Sequence, residues 1–233
     1  MPRRRYATNF ACLVVVLVTV PTRAGETAEF AVTGLWQNKY ITEGRDNLGN
    51  GGLLSLEGAA EWRGATVGVW LATGDSESYD EVNIFLEKGF SAGALEGYLA
   101  YTRLEFLEDG EKDNELAAGL AWAGLPWLTP AIDYTYSTEA DGAFLELSLR
   151  SEITLCSGQL VIEPYVLEGV DFGYASKDYD GPNHIQVGLD WTFPLTEQVE
   201  IVGAIAHSWA LRDVAKDGMG DETWAAIGLA LAL

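Results

Sequence analysis

The sequence predicts an all-β fold, a single transmembrane antiparallel up-and-down β-barrel of about 12 strands. Three observations predict it. From Phe30 to Leu233 the chain divides into segments in which every second residue is apolar, the pattern of a strand with one greasy and one wet face. The links between segments alternate between short and long, as tight turns on one rim and larger polar loops on the other require. No stretch after Ala24 approaches the roughly 20 apolar residues of a membrane helix, whereas a spanning strand needs only about 9–11.

The chain opens Met1-Pro2-Arg3-Arg4-Arg5, runs apolar from Phe10 through Val20, and reaches Thr22-Arg23-Ala24. A basic start, a short apolar stretch and a small-residue end read as a cleaved secretory signal peptide over residues 1–24. Residues 25–233 are then the barrel. Cleavage removes Arg3, Arg4, Arg5 and Arg23 and no acidic residue, so the net charge moves from −21 to −25. That balance argues against nucleic acid as a partner, because phosphates demand Lys and Arg. It also argues against adhesion to anionic lipid through basic residues, and leaves cations, cationic ligands or the solubility of exposed loops. Cys12 leaves with the signal, so Cys156 has no partner for an internal disulfide.

The strands follow in order. Segment 30–41 ends at Tyr40 and leads into the polar link 42–51. Segment 52–62 ends at Trp62, turns at Arg63-Gly64 and returns as 65–74. After 75–80 come 81–91, the turn Ala92-Gly93 and 94–106. The link 107–114 precedes 115–123, and Gly124-Leu125-Pro126 leads to 127–136. Pro130 within that segment must sit where no ladder hydrogen bond is needed. After 137–142, segment 143–155 sets Leu145, Leu147, Leu149 and Ile153 against Glu146, Ser148, Arg150 and Glu152. Cys156-Ser157-Gly158 turns into 159–172, and 173–182 leads to 183–193. There Ile185, Val187, Leu189, Trp191 and Phe193 oppose His184, Gln186, Gly188, Asp190 and Thr192. Residues 194–197 turn into 198–210, and 211–222 leads to 223–233, where Ile227, Leu229, Leu231 and Leu233 oppose Gly228, Ala230 and Ala232.

An even strand count puts both termini on the short-turn rim, the periplasmic side of an outer-membrane barrel. Trp62, Phe90, Trp127, Trp191 and Phe193 lie near the short turns. Tyr40, Tyr101, Phe106, Tyr136, Tyr174 and Trp209 lie near the long links. Aromatic rings favour the headgroup level, so these predict two girdles. The ending Gly228-Leu229-Ala230-Leu231-Ala232-Leu233 resembles the signal read by the barrel assembly machinery, with Leu in place of the usual aromatic residue.

Three stretches carry a family resemblance. They are Asn38-Lys39-Tyr40-Ile41-Thr42-Glu43-Gly44-Arg45, Gly52-Leu53-Leu54-Ser55-Leu56-Glu57, and Gly68-Val69-Trp70-Leu71-Ala72-Thr73-Gly74 with Asp80-Glu81-Val82-Asn83 after it. Over about residues 36–106 the chain resembles the small TorF-type porins. The resemblance implies an outer-membrane barrel and a pore, and supplies no catalytic residues.

With the apolar faces on lipid, the other faces line a lumen. The expected lining is Glu57, Glu61, Glu87, Glu96, Asp133, Glu146, Arg150, Glu152, Glu163, Asp190 and Glu200, with Lys39 the other basic residue and Trp70, Phe85 and Tyr98 as a partial plug. Rings of Asp and Glu attract cations. The expected function is a narrow porin-like channel for small polar or cationic solutes. The alternatives are a non-conducting structural or surface-recognition barrel acting through its acidic loops, and an outer-membrane hydrolase. An enzyme is not the expectation. His184 faces the lumen and His207 faces out, and Ser208 lies on the opposite face from His207. No cofactor is implied. Asp213, Asp217 and Asp221 are the best candidate calcium loop.

Overall fold

The computed structural model describes residues 28–233; the expected signal peptide over residues 1–24 and its cleavage site lie outside the described residues. Twelve strands form the barrel: β1 (Glu29–Gln37), β2 (Leu53–Trp62), β3 (Ala65–Gly74), β4 (Asp80–Ala92), β5 (Leu95–Phe106), β6 (Glu111–Trp122), β7 (Thr129–Ser137), β8 (Gly142–Arg150, resuming at Ile153–Leu155), β9 (Leu160–Phe172), β10 (Asp180–Pro194), β11 (Val199–Ala210) and β12 (Glu222–Ala232). Each pairs antiparallel with its sequence neighbours. β1 pairs with β12 from Ala31↔Ala232 to Gln37↔Ala226 and closes the barrel. Closure leaves no unpaired edge, which is what a spanning sheet needs in a medium without water.

The exposed large side chains are apolar and recur at every second position: Val67, Val69 and Leu71 on β3, Ile84, Leu86 and Phe90 on β4, Leu147 and Leu149 on β8, Ile227 and Leu229 on β12. Their neighbours point inward and are covered. The arrangement is inside-out relative to a water-soluble barrel. Leu145, Val187 and Leu229 share the outward face.

Three features differ from the sequence expectation. The first strand stops at Gln37 instead of running to residue 41. The link after it, 38–52, bends inward and carries a small hairpin, Ile41–Thr42 paired with Arg45–Asp46. The contrast between the two rims is also weaker than expected. Polar Glu111 to Asn114 extend the β5–β6 ladder out to Phe106↔Glu111, which shrinks that loop to 107–110, while the opposite turn 123–128 is longer. Ladder hydrogen bonds satisfy the backbone whatever the side chains are, so polar residues continue a strand above the membrane. Finally, β8 is interrupted at Ser151 and Glu152. Pro130 lies just past the end of the β6–β7 ladder at Ala121↔Ala131, so its missing N–H breaks no bond there.

The girdle expectation holds for Trp62, Phe90, Trp127, Phe193, Tyr101 and Trp209, all exposed. Tyr40 and Tyr174 do not belong to it. Both turn into the mouth, because their hydroxyls have lumenal carboxylates to bond: Glu81 for Tyr40, at 3.0 Å, and Glu115 for Tyr174.

Candidate functional site

The lumen is walled by the inward face of all twelve strands. Glu57 and Asp190 are buried on it, and Glu61, Glu87, Glu96, Asp133, Glu146, Arg150, Glu163 and Glu200 are half-buried on the same side of their strands. Glu152 is exposed at the β8 interruption. Some of these groups meet. Arg150 Nη1 donates to Asp190 Oδ2 at 2.6 Å and its guanidinium lies over the Tyr165 ring at 4.4 Å. Tyr98 Oη donates to Asp133 Oδ1 at 2.8 Å. Asp133 faces Glu146 across the β7–β8 ladder, and Glu163 faces Asp190 across β9–β10. Directly opposed carboxylates repel unless a cation stands between them.

The lumenal aromatics do not stand across the axis as a plug. Of the expected plug, Phe85 and Tyr98 lie over the glycine directly opposite on an adjacent strand, Gly68 and Gly119, as Tyr165 does over Gly188, while Trp70 packs under the mouth loop. A Cβ at any of these glycines would come within 2.4 Å of the ring. Large rings beside glycines lie flat on the wall, so the bulk expected in the bore is folded away from it.

The bore is narrowed from the mouth instead, by the 38–52 loop. Tyr40, Leu48, Leu53, Trp70 and Ala72 form one apolar cluster with Tyr79 packed on it, and Ile41 joins Ala206 and Trp224 in a second. Burial of these side chains holds the loop down. Gly44 is the tip of the hairpin. It has φ +73°, which favours glycine, and a Cβ there would lie 2.9 Å from His184 on β10. The hairpin therefore reaches from the β1–β2 side of the mouth past the β1–β12 seam to β10.

Arg45 locks it there. Its Nη2 donates to Asp213 at 2.9 Å, to Asp217 at 2.8 Å and to Ser176 Oγ at 3.1 Å. Asp213 and Val214 are buried on the short helix α1 (Arg212–Lys216), and Asn183 Nδ2 donates to Asp213 at 2.7 Å. Asp171 accepts from the N–H groups of Tyr174, Ala175 and Ser176 and shapes the 173–179 loop. Hydrogen bonds from Arg45, then from Ser176, hold the Asp217 carboxyl below the ordinary carboxylate range. Burial pushes Glu43 up, and the like charges of Asp171 and Glu81 add to the rise, against the pull of Thr42 and Arg45. Lys39 bonds Glu222, with Asp46 3.9 Å away.

This corrects the candidate calcium loop. Asp213 and Asp217 converge on Arg45, while Asp221 accepts from the Ala210 N–H at 2.9 Å. A guanidinium fills the place a metal would take, since its planar fork suits two carboxylates. Sequence reasoning missed Arg45, Glu43, Glu81 and Glu115 as lumenal groups. The motif Glu43-Gly44-Arg45 held the signal: a glycine between two charged residues marks a tight turn, but nothing local says where that turn docks. His184, expected to face the lumen near the loop side, is buried there and donates from Nδ1 to Asn183 Oδ1 at 2.7 Å; among the described residues no hydroxyl or thiol bonds its ring.

No protein-family model matches the chain, and no curated protein sequence does. Solved structures match in fold. The KdgM porin in complex with disordered oligogalacturonate superposes with a TM-score of 0.60 at 7% identity, covering 88% of this chain and 99% of that one. The NanC porin gives 0.56 at 12%, covering 88% and 100%. The translocator domain of the autotransporter NalP from Neisseria meningitidis gives 0.50 at 12%, covering 89% and 88%. The fold is that of outer-membrane porin barrels.

Proposed function

We propose that this outer-membrane barrel is a narrow channel that passes small polar solutes and prefers cations. The observation that carries the reading is the charge of the inward face: among the described residues, Arg150 is the single cation on the inward side of the barrel strands, in a wall set that includes Glu57, Glu61, Glu87, Glu96, Asp133, Glu146, Glu163, Asp190 and Glu200. In a narrow, low-dielectric bore such a set concentrates cations and repels anions. Oligogalacturonate, the polyanion in the KdgM structure, has the wrong sign for this wall. Both termini lie in the periplasm, and the terminal strand β12 is the segment the assembly machinery reads. The wall shapes a path for solutes.

Planar-bilayer recording in a KCl gradient tests the reading. The reversal potential is expected to report K⁺ preference, and Glu57→Gln with Glu146→Gln to reduce it at least twofold. The preference should fade between 0.1 M and 1 M salt, as the screening length falls from about 10 Å to about 3 Å. Anion preference, or no change in the double variant, contradicts it. The docked 38–52 loop favours a second reading, a barrel shut at the mouth that acts through its acidic loops; absence of conductance from wild type together with conductance on deleting 40–48 would select it.

A further inference from the structure

One lumenal carboxylate is buried without any partner. Glu57 is 6% exposed, and among the described residues nothing donates to it. Its neighbours on the same inward row are Thr33 on β1 and Trp70 on β3, and Asn83 on β4 follows Trp70. Trp70, 7% exposed, has its indole N–H unbonded, and the carbonyl oxygen Oδ1 of Asn83 accepts nothing. The Asn83 amide is oriented from the other end: its Nδ2 donates to Glu81 Oε1 at 2.8 Å. Glu81 itself is satisfied by Tyr40, Tyr79 and Asn83. So three adjacent strands present, side by side, a bare carboxylate, a bare N–H donor on an aromatic ring, and a bare acceptor. The Tyr40 ring of the docked loop stands 6.3 Å from the Trp70 ring and forms the roof.

Buried polar groups in native proteins are paired, and an orphan asks for an absent partner. Three neighbouring orphans of complementary type ask for one molecule. The carboxylate asks for a positive charge. The ring beside it favours an organic cation, whose charge can rest on the π face. The amide oxygen and the indole N–H ask for a group that both donates and accepts, which is a hydroxyl. A bare metal ion would use the carboxylate and leave the N–H unanswered; among the described residues no three metal-binding side chains converge.

We propose that the β2–β4 wall beneath the 38–52 loop binds a hydroxylated primary amine of the amino-sugar type. The ammonium sits on Glu57 and against the Trp70 ring, and a neighbouring hydroxyl bridges Trp70 Nε1–H and Asn83 Oδ1. The assignment rests on the reading of the inward face as a solute path and narrows its substrate to a class. Roof and site are coupled: the loop that narrows the mouth is also the lid over the ligand.

Isothermal titration of the detergent-purified barrel with D-glucosamine and with N-acetyl-D-glucosamine tests it, since the two share hydroxyls and ring and differ in the charge. Glucosamine is expected to bind wild type and the acetylated sugar to bind at least tenfold more weakly. Glu57→Gln should weaken glucosamine at least tenfold. Trp70→Phe, which keeps a ring and removes the N–H, should weaken it a few-fold. Retention of the heat-modifiable folded band by each variant confirms that it is folded. Equal binding of the two sugars, no binding of glucosamine to wild type, or full binding to folded Glu57→Gln overturns the proposal. K⁺ preference measured in parallel separates the two readings: preference without glucosamine binding removes this site alone, and glucosamine binding without conductance removes the channel alone.

Discussion

Arg45 shows how one residue sets the state of the mouth. The sequence places it in a polar link among charged and glycine residues. In the fold it joins loops more than a hundred residues away and neutralises Asp213, which is fully buried. Removing one partner of a buried ion pair costs about 3–5 kcal/mol, because the other charge stays without its counter-ion. Arg45→Ala is expected to destabilise the docked loop by that order. Limited proteolysis should then cut within 38–52 at least tenfold faster, and single-channel conductance should rise. Equal cutting rates would mean the apolar clusters alone hold the loop.

Glu43 and Asp217 contribute to docking of the mouth loop with opposite pH dependence. Asp217 is depressed in the docked state. Its contribution to docking is present above the ordinary value of 3.8 and is lost as pH falls through the lowered one. Glu43 is raised, so the docked state holds its proton more tightly than the free loop does. Docking is therefore favoured in acid near the ordinary 4.5 and weakens as pH rises from there through the raised value. Conductance is expected to be lower at pH 5 than at pH 8 in wild type, and Glu43→Gln should flatten the difference. An unchanged profile in that variant would assign the titration to wall carboxylates.

At the scale of the element, each strand has two faces with different tolerances. Leu147 is outward and exposed in the middle of β8, and Glu146 beside it is inward. Leu147→Arg is expected to cost roughly 2–4 kcal/mol at mid-depth in lipid. Glu146→Arg should cost much less, since it answers Asp133 opposite. Urea unfolding in lipid vesicles reads both; equal losses would mean the faces are misassigned. The 38–52 loop follows a different rule. Its apolar residues obey no strand period because they pack on a wall made elsewhere in the chain, so the alternation that identifies β1 cannot say where β1 stops.

At the scale of the whole molecule, closure depends on a seam between the first and last strands. Gly228 lies in it with no space for a side chain: a Cβ would stand 2.1 Å from the carbonyl oxygen of Gly34. Gly228→Val is expected to push β1 and β12 apart and to lose most of the heat-modifiable band in a folding assay, whereas Gly58→Val, with open space around it, should assemble normally. Equal yields would place the closing contact elsewhere. The excess of acidic residues, 35 against 14 basic over the full sequence, also acts at this scale, since it makes the whole molecule an anion without any one residue deciding it.

Strands and faces were legible because both are local. All twelve segments read from the alternation correspond to strands, and the apolar side of each is the exposed one; a period of two is fixed by chain geometry, whatever the chain packs against. Inward carboxylates such as Glu57 and Asp190 could be named for the same reason. The docking of Arg45 between loops, the turn of Tyr40 and Tyr174 into the mouth, and the three orphan groups around Trp70 could not be read. Each depends on residues brought together by register and closure. Taken alone, the sequence determined a twelve-stranded ribbon with an oily side and an acidic side, because alternation along a strand needs no knowledge of its neighbours. Only the tertiary structure decided which residues meet across the bore and which loop covers it, because those distances exist only once β1 has closed on β12.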